Sequence, residues 1–175
     1  DDQNKFYSEE DEVRLVNVYA KSKYEGEIEI LTNCQSSIIC RTNFFGYGPD
    51  HKNSFSEWIE ESAKNNQKIV LFKDVFFTPV SGGNLAFYAH KLLENNFSGI
   101  FNISSNKKIS KFEFGKLLCN KLNIPSYSIL PGCIDERSDL TRRPKCMALS
   151  NEKLTKAIRN NNLGVEIQIE SILNT

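Results

Sequence analysis

Tyr19 and Lys23 are the residues of this 175-residue chain whose types and spacing most directly offer chemistry. Four positions apart on a helix, they share a face about one turn from each other, so a phenol and an ammonium reach the same small volume. A free phenol titrates near 10 and is a poor proton donor at neutral pH, but a neighbouring ammonium stabilises the phenolate and lowers that value. At an effective dielectric of about 20 and a separation of roughly 4 Å, the attraction is on the order of 4 kcal/mol. A phenol tuned in this way can protonate a carbonyl oxygen as hydride reaches its carbon. The same spacing also arises by chance in a chain rich in lysine, where it only decorates a surface, so the surroundings of the pair must decide.

Those surroundings begin with a helix expected from Val18 to about Thr32, with Ile28 and Leu31 on its apolar side and Asn33 at its end. Ser37 to Cys40 then read as a short strand, apolar on both faces as in a parallel sheet. Arg41 to Pro49 leave its carboxyl end as an aromatic, glycine-containing loop, the position at which open α/β sheets bind ligands. The alternative is a plain connection with buried phenylalanines. Gly46 and Gly48 do not make a dinucleotide-binding fingerprint, because His51 stands where the third glycine would be.

Further along, Ser54 to Lys64 is expected as a helix with Phe55, Trp58, Ile59 and Ala63 inward, and Lys68 to Phe72 as a strand. Lys73 to Val80 turns back, and Ser81 starts a helix to about Asn95. Gly99 to Ile103 is a third strand. Ser110 and Glu113 form a capping box opening another helix. Tyr127 to Leu130 reads as one more strand, Ser150 as the cap of a helix to Arg159, and Val165 to Leu173 as a last helix. Arg137 to Pro144 is the one place where cations cluster, either solvated or suited to clamping a diphosphate.

The totals exclude several classes of function. Twenty-two basic residues balance twenty-two acidic ones without a cationic run, which leaves nucleic acid no electrostatic footprint. No apolar run approaches the roughly eighteen residues that a membrane span needs, so no membrane partner is expected, and the first residues lack a signal-peptide core. Five cysteines without a C-x-x-C pair fit reduced thiols and a cytoplasmic setting. His51 and His90 have no ligand-spaced neighbours, so no metal is expected.

In order along the chain stand Asn17-x-Tyr19-x-x-x-Lys23-x-x-Gly26-Glu27, Ile38 to Gly46, Asn53-Ser54-Phe55, Asp74 to Pro79, Arg143-Pro144 and Leu149-Ser150. Together they resemble the extended short-chain dehydrogenase/reductase superfamily, and within it the dTDP-4-dehydrorhamnose reductase branch of nucleotide-sugar enzymes. The resemblance implies an α/β fold: the second half of a Rossmann-like doubly wound parallel sheet plus a small mixed α/β substrate-binding subdomain. Residues 1–105 would form the partial Rossmann-like region, interleaved with substrate-binding segments, and 106–175 mainly the substrate-binding part.

It further implies that Tyr19 is the general acid toward a 4-keto sugar and that Lys23 supports it and holds the nicotinamide ribose of NADP or NAD. Asn43 and Phe44 would line the nicotinamide and sugar side of the cleft, Asn53 and Phe55 the nucleotide-sugar pocket, and Arg143 the diphosphate. Family members commonly carry tryptophan where Phe44 stands. A glycine-rich turn for the cofactor pyrophosphate and an upstream Ser or Thr belong to the family pattern and are not found in these residues. The chain is therefore expected to be a carboxyl-terminal half, completed by an upstream segment or paired as a homodimer, and inactive alone. A non-catalytic binding module, or an epimerase or dehydratase, is the alternative the same residues allow.

Overall fold

The computed structural model describes residues 2, 4–49, 53–159 and 163–173; His51 lies outside them. Helix α1, Val18–Asn33, is opened by Asn17, whose side chain accepts the Ala20 amide at 2.8 Å. No residue of α1 is buried. The apolar side expected at Ile28 and Leu31 does not close on the sheet. Those residues instead border a shallow cavity of about 370 Å³ with Tyr24, Arg41 and Ile100.

Strand β1, Ile38–Phe45, is longer than its sequence suggested: the stretch from Arg41 to Phe45, expected as a loop, continues the strand. The reason is a change of partner. Residues 38–42 pair in parallel with β5, Gly99–Ile103, and residues 43–45 pair on the other edge with β4, Pro79–Ser81. Thr42, Phe44 and Phe45 suit an extended backbone once both ladders are available. The resulting parallel sheet has the order β4-β1-β5. Its central strand is only partly buried along most of its length rather than buried on both faces.

Helix α2, Phe55–Lys64, starts in a capping box between Ser54 and Glu57. Strand β2, Ile69–Phe72, pairs in parallel with β7, Ile129–Gly132. The segment expected to turn back after Phe72 holds two short strands, β3, Phe76–Phe77, and β4. Strand β3 is flanked by β6, Ile109–Ser110, and β8, Cys146–Met147. Two-residue strands give no periodicity for a sequence to reveal.

Helix α3, Gly82–Glu94, is capped by Ser81, and α4, Lys111–Lys121, by the Ser110 and Glu113 box. Helix α5, Glu152–Ile158, has Asn151 as its cap residue, not Ser150, whose hydroxyl instead accepts the Glu152 amide at 3.4 Å. Helix α6 is Val165–Leu173.

Two apolar clusters hold these elements. One gathers Phe45, Ile59, Leu71, Phe77, Phe114, Leu118, Ile129 and Ile169 beneath α2, α4 and α6. Phe114 is fully buried at its centre, with ring centroids of Phe45, Phe77 and Phe55 at 5.0, 5.4 and 5.9 Å. The other joins Val80, Tyr88, Leu92, Phe101, Ile103, Leu154 and Leu163. Among the described residues no helix is long and apolar enough to cross a membrane, no acidic, His or Cys cluster suits a metal, and all five cysteines are free.

Candidate functional site

Tyr19 and Lys23 lie on one face of α1 as their spacing requires, with the Lys23 ammonium 5.7 Å from the Tyr19 ring centroid. The phenol is open rather than enclosed: Tyr19 is 70 % exposed. A bidentate ion pair ties the helix that carries them to the sheet. Arg41 of β1 donates to Glu27 through Nε at 3.0 Å and through Nη2 at 2.6 Å. Glu27, first among its neighbours, raises the titration of Arg41 further above its ordinary range. At the amino end, the Asn17 amide donates to the Arg142 carbonyl at 3.0 Å. That bond sets the start of α1 against the cationic loop, and Val16 and Arg143 border the same cavity of about 390 Å³ together with Ile134, Leu140 and Lys145. Tyr19 and Lys23 are not among the residues lining it.

Asn43 is fixed from behind. Its side-chain oxygen accepts from the Thr78 amide at 3.3 Å and from the Thr78 hydroxyl at 3.4 Å, and that hydroxyl in turn accepts the Leu149 amide at 3.0 Å. Thr78, wholly buried, thus orients a residue at the carboxyl end of β1. Phe44, next along the strand, points the other way and is 68 % exposed.

The turn after β1 is pinned to α2. Gly46, at φ 153°, takes a conformation that suits glycine, and its carbonyl accepts from Ser54 at 2.5 Å and Ser56 at 2.7 Å. The Glu57 carboxylate accepts the Ser54 and Gly48 amides at 2.8 and 2.9 Å, which holds it below the usual carboxylate range. Burial, together with the bond to Glu60, pushes the Tyr47 phenol up to about 12. Asn53 is exposed, with its amide on Glu61 of α2 at 2.5 Å. Phe55 lies against Phe114, and the Lys111 ammonium sits 4.6 Å from its centroid.

Lys111 and Arg143 form the charged part of this region. The Lys111 ammonium lies 3.4 Å from the centroid of Phe77, over the ring, and desolvation there, followed by the nearby charge of Arg143, lowers its titration to about 8. Arg143 itself is exposed. Elsewhere in the same loop, Arg137 is paired with Asp139 at 2.8 Å, and Lys145 with Asp74 and Asp135. His90 is a surface residue 3.1 Å from Glu94.

The sequence reading missed Thr78, Glu27 and Lys111. For Lys111 a signal existed: it is the first residue of α4, where the helix dipole disfavours a cation, and a broken local rule points to another use. Thr78 and Glu27 stood inside quoted motifs without a role of their own, because their partners lie 35 and 14 positions away.

Residues 1–174 match the family described as the RmlD substrate binding domain. The chain is 27% identical over 152 residues to the probable low-salt glycan biosynthesis reductase Agl14 of Haloferax volcanii, covering 83% of this chain and 50% of that one. It is 26% identical over 172 residues to the methionine adenosyltransferase 2 subunit beta of Danio rerio, covering 88% and 50%. The chain thus spans about half the length of the curated relatives it matches. In fold it is similar to dTDP-4-dehydrorhamnose reductase of Bacillus anthracis, solved in complex with NADP, at a TM-score of 0.89 and 22% identity over 98% of this chain and 61% of that one. The match along nearly the whole sequence, on an α/β fold built around a parallel sheet, places the chain in the RmlD substrate-binding domain family.

Proposed function

We propose that this chain is the substrate-facing part of an NAD(P)H-dependent nucleotide-sugar reductase that reduces a 4-keto sugar, with Tyr19 as the proton donor. One observation carries the reading: an exposed phenol beside an ammonium, on a helix whose start is bonded to the Arg142–Arg143 loop, in a chain of this family. In this reading residues 1–105 supply mainly the Tyr19 helix and its sheet, and 106–175 mainly contacts to the sugar nucleotide.

The residues present fit the nicotinamide end of a cofactor. An uncovered ammonium at Lys23 suits ribose hydroxyls, Asn43 is held in one orientation by Thr78, and the exposed Phe44 offers an apolar face. They hold no glycine-rich strand-turn-helix for a pyrophosphate. When bound, the cofactor supplies a hydride to the sugar carbonyl carbon. Tyr19 then gives its proton to the carbonyl oxygen and is left as phenolate, and the Lys23 charge beside it favours that transfer. In this reading Arg143 would meet the diphosphate, and Phe55 and Asn53 the nucleotide-sugar side.

The similarity to a protein named as a subunit of methionine adenosyltransferase 2 favours a second reading, a binding or regulatory module on the same domain. The test is turnover of a dTDP-4-keto sugar, followed by NADPH oxidation, in the whole enzyme that joins these residues to a cofactor-binding half. Tyr19→Phe is expected to lower kcat by about 10²- to 10⁴-fold while leaving sugar-nucleotide binding within a factor of two. Near-full turnover by Tyr19→Phe in that whole enzyme refutes the assignment, and binding without turnover by its unsubstituted form selects the second reading.

A further inference from the structure

Lys111 breaks two rules at once. It places a cation at the positive end of α4, and it brings that cation near another, Arg143, with no carboxylate paired to either among the described residues. The capping box does not relieve it, because Glu113 is spent on the Ser110 amide at 3.0 Å and the Ser110 hydroxyl at 2.8 Å. What faces the ammonium is the ring of Phe77 at 3.4 Å and that of Phe55 at 4.6 Å, which replace only part of a hydration shell. In the same region Arg137 and Lys145 are each matched with an aspartate. Like charges left unmatched beside paired ones are what a bound anion would neutralise.

We propose that Lys111 and Arg143 together form a two-cation seat for the diphosphate of a nucleotide-linked sugar, Lys111 supplying the charge fixed by aromatic walls and Arg143 an exposed guanidinium fork. The inference rests on the nucleotide-sugar reading above and adds to it a residue for which sequence reasoning gave only a helix-capping context. A bridging diphosphate fits better than a single carboxylate, since it offers oxygens on two phosphorus centres to two cations at once. The lowered titration of Lys111 gives the seat a signature: an anion arriving near pH 8 favours the charged amine, so binding takes up a proton.

The test is calorimetric titration of the protein with dTDP-glucose, whose diphosphate diester is fully ionised at pH 8 and exchanges no protons there, in buffers of differing ionisation heat. The unsubstituted protein is expected to take up a fraction of a proton per ligand at pH 8. Lys111→Met should weaken binding about ten- to a hundredfold and abolish the uptake. Lys111→Arg should keep affinity within about threefold and show no uptake, because a guanidinium does not deprotonate. If Lys111→Met fails to fold, Lys111→Arg and the proton count still decide.

Unchanged affinity in Lys111→Met overturns this inference alone. Weakened affinity with no proton uptake by the unsubstituted protein also overturns it, since that pattern marks a packing role. A loss confined to NADPH assigns the seat to the cofactor and overturns it as well. No binding of dTDP-glucose by the unsubstituted protein overturns both this inference and the nucleotide-sugar reading.

Discussion

Replacing Glu27 with glutamine should loosen α1 without unfolding the molecule. The helix buries no residue, so its position depends on few contacts, and the pair between Glu27 and Arg41 is the strongest of them. Both side chains are less than a fifth exposed, which lifts the pair above an ordinary surface ion pair. Glu27→Gln keeps the shape and one acceptor but removes the charge from a bidentate contact. It also leaves the half-buried Arg41 without its counter-ion. Charge-assisted bonds are worth about 1.5 to 3 kcal/mol against about 1 for neutral ones, so the difference is about 0.5 to 2 kcal/mol. As a local opening free energy, that is roughly a two- to thirtyfold change in an equilibrium constant.

Amide hydrogen exchange followed by mass spectrometry reads it directly. Peptides covering Val18–Asn33 should exchange about two- to thirtyfold faster in Glu27→Gln, while those covering Gly99–Ile103 and Lys111–Lys121 stay unchanged. Uniform acceleration along the chain, or none in α1, would show that something other than this pair holds the helix, and the account of how Tyr19 is positioned would fall with it.

Two further outcomes are expected. Phe114→Ala removes a fully buried ring from among three aromatic neighbours and should cost about 3 to 5 kcal/mol, read as a lowered denaturant midpoint with little change in slope. Asp11 is held at about 2, first by Lys5 and then by the amide and hydroxyl of Ser8. Its folded value lies below the ordinary 3.8, so its contribution is present above about pH 4 and is lost as pH falls toward 2. Amide shifts of Tyr7 to Asp11 should titrate in that window and cease to do so in Asp11→Asn.

The sequence by itself determined the elements whose rules are local. The Tyr19 and Lys23 spacing, the capping box at Ser110, and strand Gly99–Ile103 could all be read because each depends on residues within about one turn or one ladder. The order of motifs carried the family for the same reason, since each motif is a short run. Tertiary structure alone decided what depends on partners far along the chain. It extended β1 to Phe45 by supplying β4 as a second neighbour, placed β3 between strands that begin at Ile109 and Cys146, and left α1 on the surface, held by the Glu27–Arg41 pair and the Asn17 bond to Arg142. It also set Lys111 between Phe55 and Phe77 and beside Arg143. A charge's environment is fixed by whatever the fold packs around it, and those residues lie tens of positions from Lys111 in the chain.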